Sequence, residues 1–200
     1  MLLPHLLALS VAASPVSPIG VVKEGNAEIQ KIIASSEATT EKLAARADQF
    51  VDFVELARRA IGKEWGKLKK PQQDDFTQTM RGLLRASYAQ RALGDGKNGA
   101  VTEYASEKIA GNEATVSTWL VIKKDRFPVE YRLFRPDANS PWRIFDVVTD
   151  AVSLVETYQD QFRQLLAKKG FDGLLATLKA KRDQLERAAI APTSTVGVAR

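Results

Sequence analysis

Two hundred residues, 44% of them hydrophobic and 26% charged, suffice for one globular core and are too few for two domains beside a leader and a tail. The chain has no cysteine and one histidine, His5, which excludes disulfides, thiolate nucleophiles, His-based triads, HExxH zinc chemistry and most transition-metal sites. A formal charge of +5 suits phosphate headgroups, an acidic protein face or nucleic acid; nucleic acid ranks last, because no recognised binding motif accompanies the basic residues.

In chain order, MLLPHLLALSVAA carries no acid, lysine or arginine. Its apolar run from Leu6 to Ala13 is far short of the roughly 20 residues a spanning helix needs and reads as a secretory h-region. Val11-Ala12-Ala13 offers small residues for cleavage near Ala13, so residues 1–20 are expected to be signal peptide and unstructured spacer (Ser14 to Gly20), with export to the periplasm. The basic flank of such a leader is missing, which leaves open a start upstream of Met1 or a mobile apolar terminus.

A single domain is expected over 21–190. Apolar residues at steps of three and four predict helices over Ala27 to Ser35, Asp48 to Ile61 and Pro71 to Leu93. Pro71 fits a first turn, with Asp74 and Asp75 near the positive end of the dipole, and Gly94-Asp95-Gly96 is expected to end that helix. From Val101 the period becomes two. Strands are predicted over Val101 to Ile109, Ala114 to Ile122, Val129 to Leu133 and Trp142 to Val148, with a turn at Lys124-Asp125-Arg126. Ser153 then caps a helix carrying Leu154, Val155, Tyr158, Phe162, Leu165 and Leu166; Gly170 stops it, and Leu174, Leu175, Leu178 and Leu185 mark a last helix. Residues 191–200 lack the apolar density to pack and are expected to be a disordered tail. Strands segregated from helices indicate an α+β fold with a four-stranded antiparallel meander.

No residue set specifies catalysis. Asp146, flanked by Phe145 and Val147, is the best acid or base candidate, since desolvation raises a carboxyl, although a strand-end aspartate more often bonds backbone or pairs with arginine. Asp74 and Asp75 point about 100 degrees apart on a helix and already have a dipole explanation. Gly94 to Gly99 lacks the Gly-Lys-Ser/Thr ending of a phosphate cradle and reads as a turn. The stretch Arg58, Arg59, Lys63, Lys67, Lys69, Lys70, opposed only by Glu64, is either an acidic-surface ligand or a solvated helix end. Trp119, Tyr131, Trp142, Phe145, Met80, Leu84 and Tyr88 read as core by composition, or as a cavity wall where sheet and helices stand apart.

Two blocks carry a family resemblance. Asp52-Phe53, Ala60-Ile61-Gly62, Trp65, Gln72-Gln73, Phe76, Leu83-Leu84 and Tyr88 form one; Trp142, Asp146-Val147, Val152-Ser153-Leu154-Val155, Tyr158, Gln161-Phe162, Gly170 and Asp172-Gly173-Leu174-Leu175 with Leu178 form the other. Together they resemble the MlaC family of toluene-tolerance or ABC-transporter auxiliary proteins, which carry phospholipids across the periplasm of Gram-negative bacteria. Two departures stand out: Ala151 where the family has Gly, and Gln159 where it has Arg. The resemblance implies an NTF2-like fold, a curved sheet packed with N- and C-terminal helices around a lipid cavity. It implies no enzyme, no catalytic residue, no metal and no cofactor, only phospholipid as cargo. Expected partners are an inner-membrane ABC transporter complex and an outer-membrane lipoprotein complex, in a system that maintains outer-membrane lipid asymmetry. Expected lining residues are Met80, Leu84, Val116, Tyr131, Ile144, Leu154 and Phe162. The alternatives are an NTF2-like enzyme using Asp146 as general acid or base, and a non-enzymatic adaptor that binds through its basic patch.

Overall fold

The structure is a computed structural model that describes residues 16–97 and 99–190; the expected leader, its cleavage point and the expected tail lie outside them. Five helices and five strands follow in the order α1 (Pro18–Ala34), α2 (Thr40–Ala47), α3 (Phe53–Ile61), α4 (Lys70–Lys97), β1 (Val101–Ala110), β2 (Glu113–Ile122), β3 (Asp125–Phe134), β4 (Arg143–Thr149), β5 (Val152–Ser153) and α5 (Leu154–Ile190), with a 3-10 turn, Gly62–Lys67, after α3. The fold is α+β, as the segregated periodicities required.

The sheet is antiparallel in the order β1-β2-β3-β4-β5, five strands instead of the four expected. The fifth escapes a period-two search because it is two residues long: the chain reverses at Asp150 and Ala151, so that Thr149 pairs with Val152 and Val148 with Ser153. The β2–β3 hairpin also turns one residue earlier than expected, at Lys123-Lys124, because Ile122 and Asp125 already pair. Irregular register between Tyr104 and Ser106, and again where Phe145 is skipped between Ile144 and Asp146, bends the sheet. The second irregularity turns Ile144 to one face and Phe145 to the other, so each enters a different core.

Three helical expectations are corrected. Helix α1 begins at Pro18, well before Ala27 and inside the expected spacer, because Ser17 Oγ accepts from Gly20 N at 3.2 Å and Pro18 occupies the first turn. The expected helix over Asp48 to Ile61 starts only at Phe53, where Asp52 caps it by accepting from Glu55 N at 2.9 Å. Phe50 to Asp52 instead run extended along β4, with Ile144 N donating to Phe50 O and Asp52 N donating to Ile144 O; α2 precedes them, capped by Thr39. Helix α4 runs through Gly94 and Gly96 to Lys97, a tolerated cost of about 1 kcal/mol per glycine.

Two apolar cores result. One joins α3, α4 and α5 to the sheet at Phe145 and includes Phe76, Met80, Phe162 and Leu174, each at most 1% exposed. The other, smaller one lies under α1, where Val21 and Val22 meet Val116, Leu133 and Ile144. Helix α4 touches all the other helices and ties the two groups together.

Candidate functional site

The sheet face beneath α1 is built from direct cross-strand pairs: Leu120 with Phe127, Thr118 with Val129, Val116 with Tyr131, and Ala114 with Leu133. Alternation puts all eight on one face. Helix α1 is fastened over it by few polar contacts. Ile19 N donates to Glu107 Oε2 at 2.9 Å, Asn26 Nδ2 to the Tyr104 hydroxyl at 3.1 Å and Gln30 Nε2 to Ala100 O at 3.3 Å, while Lys23 Nζ lies 5.2 Å from the Tyr104 ring centre. Burial pushes the Tyr131 phenol above its ordinary pKa.

On the opposite face, β4 meets α5 at Asp146. This carboxylate is 1% exposed and fully engaged: Ser153 Oγ donates to Oδ2 at 2.7 Å, Val155 N to Oδ1 at 3.0 Å and Arg132 Nη1 to Oδ2 at 3.2 Å. Ser153 Oγ in turn accepts from Glu156 N at 3.0 Å and caps α5, as its sequence position required. Asp146 therefore joins strand, turn and helix start. Beside it opens a cleft of about 570 Å³ lined by Arg59, Lys108, Arg132, Glu113, Asp146 and Glu156, three cations against three carboxylates. Ala110, Ala114, Phe145 and Val155 complete the wall with apolar surface between these charges, so the lining is amphipathic.

A second cleft of about 620 Å³ runs along α5, with Ile61, Leu166, Ala167 and Phe171 as apolar floor and Lys63 and Arg163 at the rim. Gln159 lines both clefts. Each volume lies in the roughly 300–1,000 Å³ range of small-ligand sites.

The seven expected lining residues do not converge. Val116, Tyr131 and Ile144 belong to the core under α1, whereas Met80, Leu84, Leu154 and Phe162 belong to the helical core, and none of them lines either cleft. Of the residues that line the first cleft, Asp146 and Arg59 stand out in the sequence, Asp146 as an acid or base candidate and Arg59 within the basic stretch, whereas Lys108 and Arg132 do not.

The basic stretch is largely neutralised within itself. Glu55, buried in α3, receives Arg58 at 2.6 Å and Arg59 at 2.7 Å. Burial alone would raise its carboxyl, but these arginine hydrogen bonds outweigh it and hold the pKa below its ordinary value. Arg59 also reaches Glu113 at 2.6 Å and stacks 3.9 Å from the Phe145 ring centre. Lys67 pairs with Glu64, Lys70 with Asp74, and Asp75 with Lys179 of α5. The pairing explains Asp74 and Asp75 without chemistry, and among the described residues no group of three or more His, Asp or Glu is placed to hold a metal.

The family model described as MlaC protein matches residues 20–180. Among solved structures, the phospholipid-binding protein from Ralstonia solanacearum, in complex with a phospholipid, superposes with a TM-score of 0.73 at 22% sequence identity, over 83% of this chain and 97% of that one. At that identity the likeness is one of fold.

Proposed function

The chain belongs to the MlaC family, and from that premise we propose that it is a phospholipid-binding shuttle that carries phospholipids through the periplasm between outer and inner membranes. Its partners in this reading are an inner-membrane ABC transporter complex and an outer-membrane lipoprotein complex, and its purpose is to maintain outer-membrane lipid asymmetry. The observation that carries the proposal is the extent of the family match, which runs from α1 into α5 and so takes in the whole sheet, both cores and both clefts. The phospholipid in the Ralstonia solanacearum protein supports it.

The physical need is plain. At roughly 0.8 kcal/mol per CH₂, two chains of about 16 carbons cost on the order of 25 kcal/mol to expose to water, so a carrier must offer apolar surface comparable to a bilayer. We assign the acyl chains to the sheet face under α1, against Val116, Tyr131 and Ile144. That core is the smaller of the two, and α1 is held there by three hydrogen bonds worth about 0.5–1.5 kcal/mol each. Met80, Leu84, Leu154 and Phe162 belong to the separate helical core and have no place against the acyl chains in this assignment.

The test is organic extraction of gently purified protein followed by mass spectrometry, with refilling from vesicles as a second arm. Stoichiometric phospholipid is expected, and Asp146→Asn should retain lipid transfer provided it folds. Empty protein that also refuses lipid from vesicles would end the carrier reading; a turnover lost in folded Asp146→Asn would favour the enzyme.

A further inference from the structure

The far end of the β2–β3 hairpin is built unlike the rest of the sheet. Strand β4 pairs with β3 only from Val129 onward, so Asp125 to Pro128 and the Lys123-Lys124 turn overhang it. Two aromatic rings flank this overhang, Trp119 at 37% and Phe127 at 40% exposed. Trp119 pairs with Pro128 and Phe127 with Leu120, which places the rings on opposite faces of one hairpin. Val101, 60% exposed, opens β1 beside Val121 on the Trp119 face. Large apolar groups on both sides of a tip oppose packing against a single flat surface and suit end-on insertion into a medium that accepts rings from either side.

Charge at the tip selects that medium. Arg126 pairs with Glu103 and stacks 5.1 Å from the Trp119 ring centre, leaving Lys123 and Lys124, for which no ion pair exists among the described residues, against Asp125 alone. Indole, phenyl and surplus lysine together match the bilayer interface, where aromatic rings sit at headgroup level and basic groups meet anionic lipid. We propose that the β2–β3 hairpin tip is a membrane-contact element that seats on bilayers carrying anionic phospholipid. Resting on the carrier reading, the proposal gains a purpose: Phe127 and Leu120 continue directly into the Thr118–Val129 and Val116–Tyr131 pairs, so a seated tip joins the bilayer to the apolar face assigned to acyl chains.

The experiment is flotation of the full chain with vesicles of phosphatidylglycerol and phosphatidylethanolamine, compared with vesicles of phosphatidylcholine alone, with bound phospholipid measured on the same preparations. Wild type is expected to partition at least tenfold more onto the anionic vesicles and to release in high salt. Lys123→Glu with Lys124→Glu, and separately Trp119→Ser on the face away from the assigned acyl chains, should each lower that partitioning at least tenfold while cargo content stays unchanged. Equal flotation of wild type, the lysine double variant and Trp119→Ser overturns the proposal, as does wild type that ignores anionic vesicles. If wild type binds only native membranes that retain their proteins and the variants lose that binding, the tip docks a protein and the proposal is overturned as well. Protein that floats as expected yet carries no phospholipid sinks the carrier reading and leaves the membrane contact standing.

Discussion

Ala151 sits at φ +62°, next to Asp150 at φ +50°, in the two-residue reversal that joins β4 to β5. Both central residues of such a tight hairpin lie at positive φ, where a Cβ meets the neighbouring carbonyl at a cost of roughly 1–2 kcal/mol. Asparagine, aspartate and glycine relieve the strain, and alanine does not. Ala151→Gly is therefore expected to stabilise the protein by about 0.5–1 kcal/mol, the relief of strain less the extra freedom of an unfolded glycine, read as a higher urea midpoint at unchanged slope. That Ala151 departs from the family was visible in the chain; that it occupies a left-handed position was not, because a two-residue strand leaves no periodic trace. Asp146 was legible in a similar half: its place at a strand end suggested a structural role, but its three donors come from β3, β5 and α5 and met only on folding.

Among the elements, α5 shows how far local signals reach. Ser153 and Gly170 were readable as its start and its interruption, and Gly170 indeed stands at φ +65°, ψ −173° inside the helix. That region is open essentially to glycine alone. No side chain crowds the position, so Gly170→Ala tests backbone strain without a packing change: a loss of about 1–3 kcal/mol is expected in chemical denaturation. Helices α1 and α2 were less legible. Ser17-Pro18 is a short capping signal beside residues that resemble a spacer, and Phe50 to Asp52 have apolar spacing that a helix or an edge segment serves equally well. Pairing with Ile144 decided the matter, and that partner lies far along the chain.

For the molecule as a whole, burial of phenols couples stability to alkaline pH. The Tyr158 phenol is pushed up to about 12, first by burial and then by repulsion from Tyr88, and Tyr131 is raised as well by burial. An unfolded tyrosine ionises near about 10. Above that pH the unfolded chain gives up protons that the folded protein keeps, so these groups contribute fully below about 10 and their contribution is lost as pH rises to about 12. Stability by denaturant titration should fall across this window, and Tyr158→Phe should flatten the fall. The window matters for function because Tyr131 belongs to the face assigned to acyl chains, while Tyr158 packs in the helical core, 5.4 Å between ring centres from Phe162.

Hydrophobic periodicity, caps and the absence of cysteine were enough for the sequence by itself to determine the class of fold, the order of most elements and the lack of thiol or histidine chemistry beyond His5. These are local properties, fixed by residues a few positions apart. Only the tertiary structure decided that the apolar residues divide into two cores, that Ile144 and Phe145 serve opposite faces, and that the basic stretch spends most of its charge on its own carboxylates. Each of those outcomes depends on register, bulges and partners distant in the chain, which no pattern within a single segment encodes.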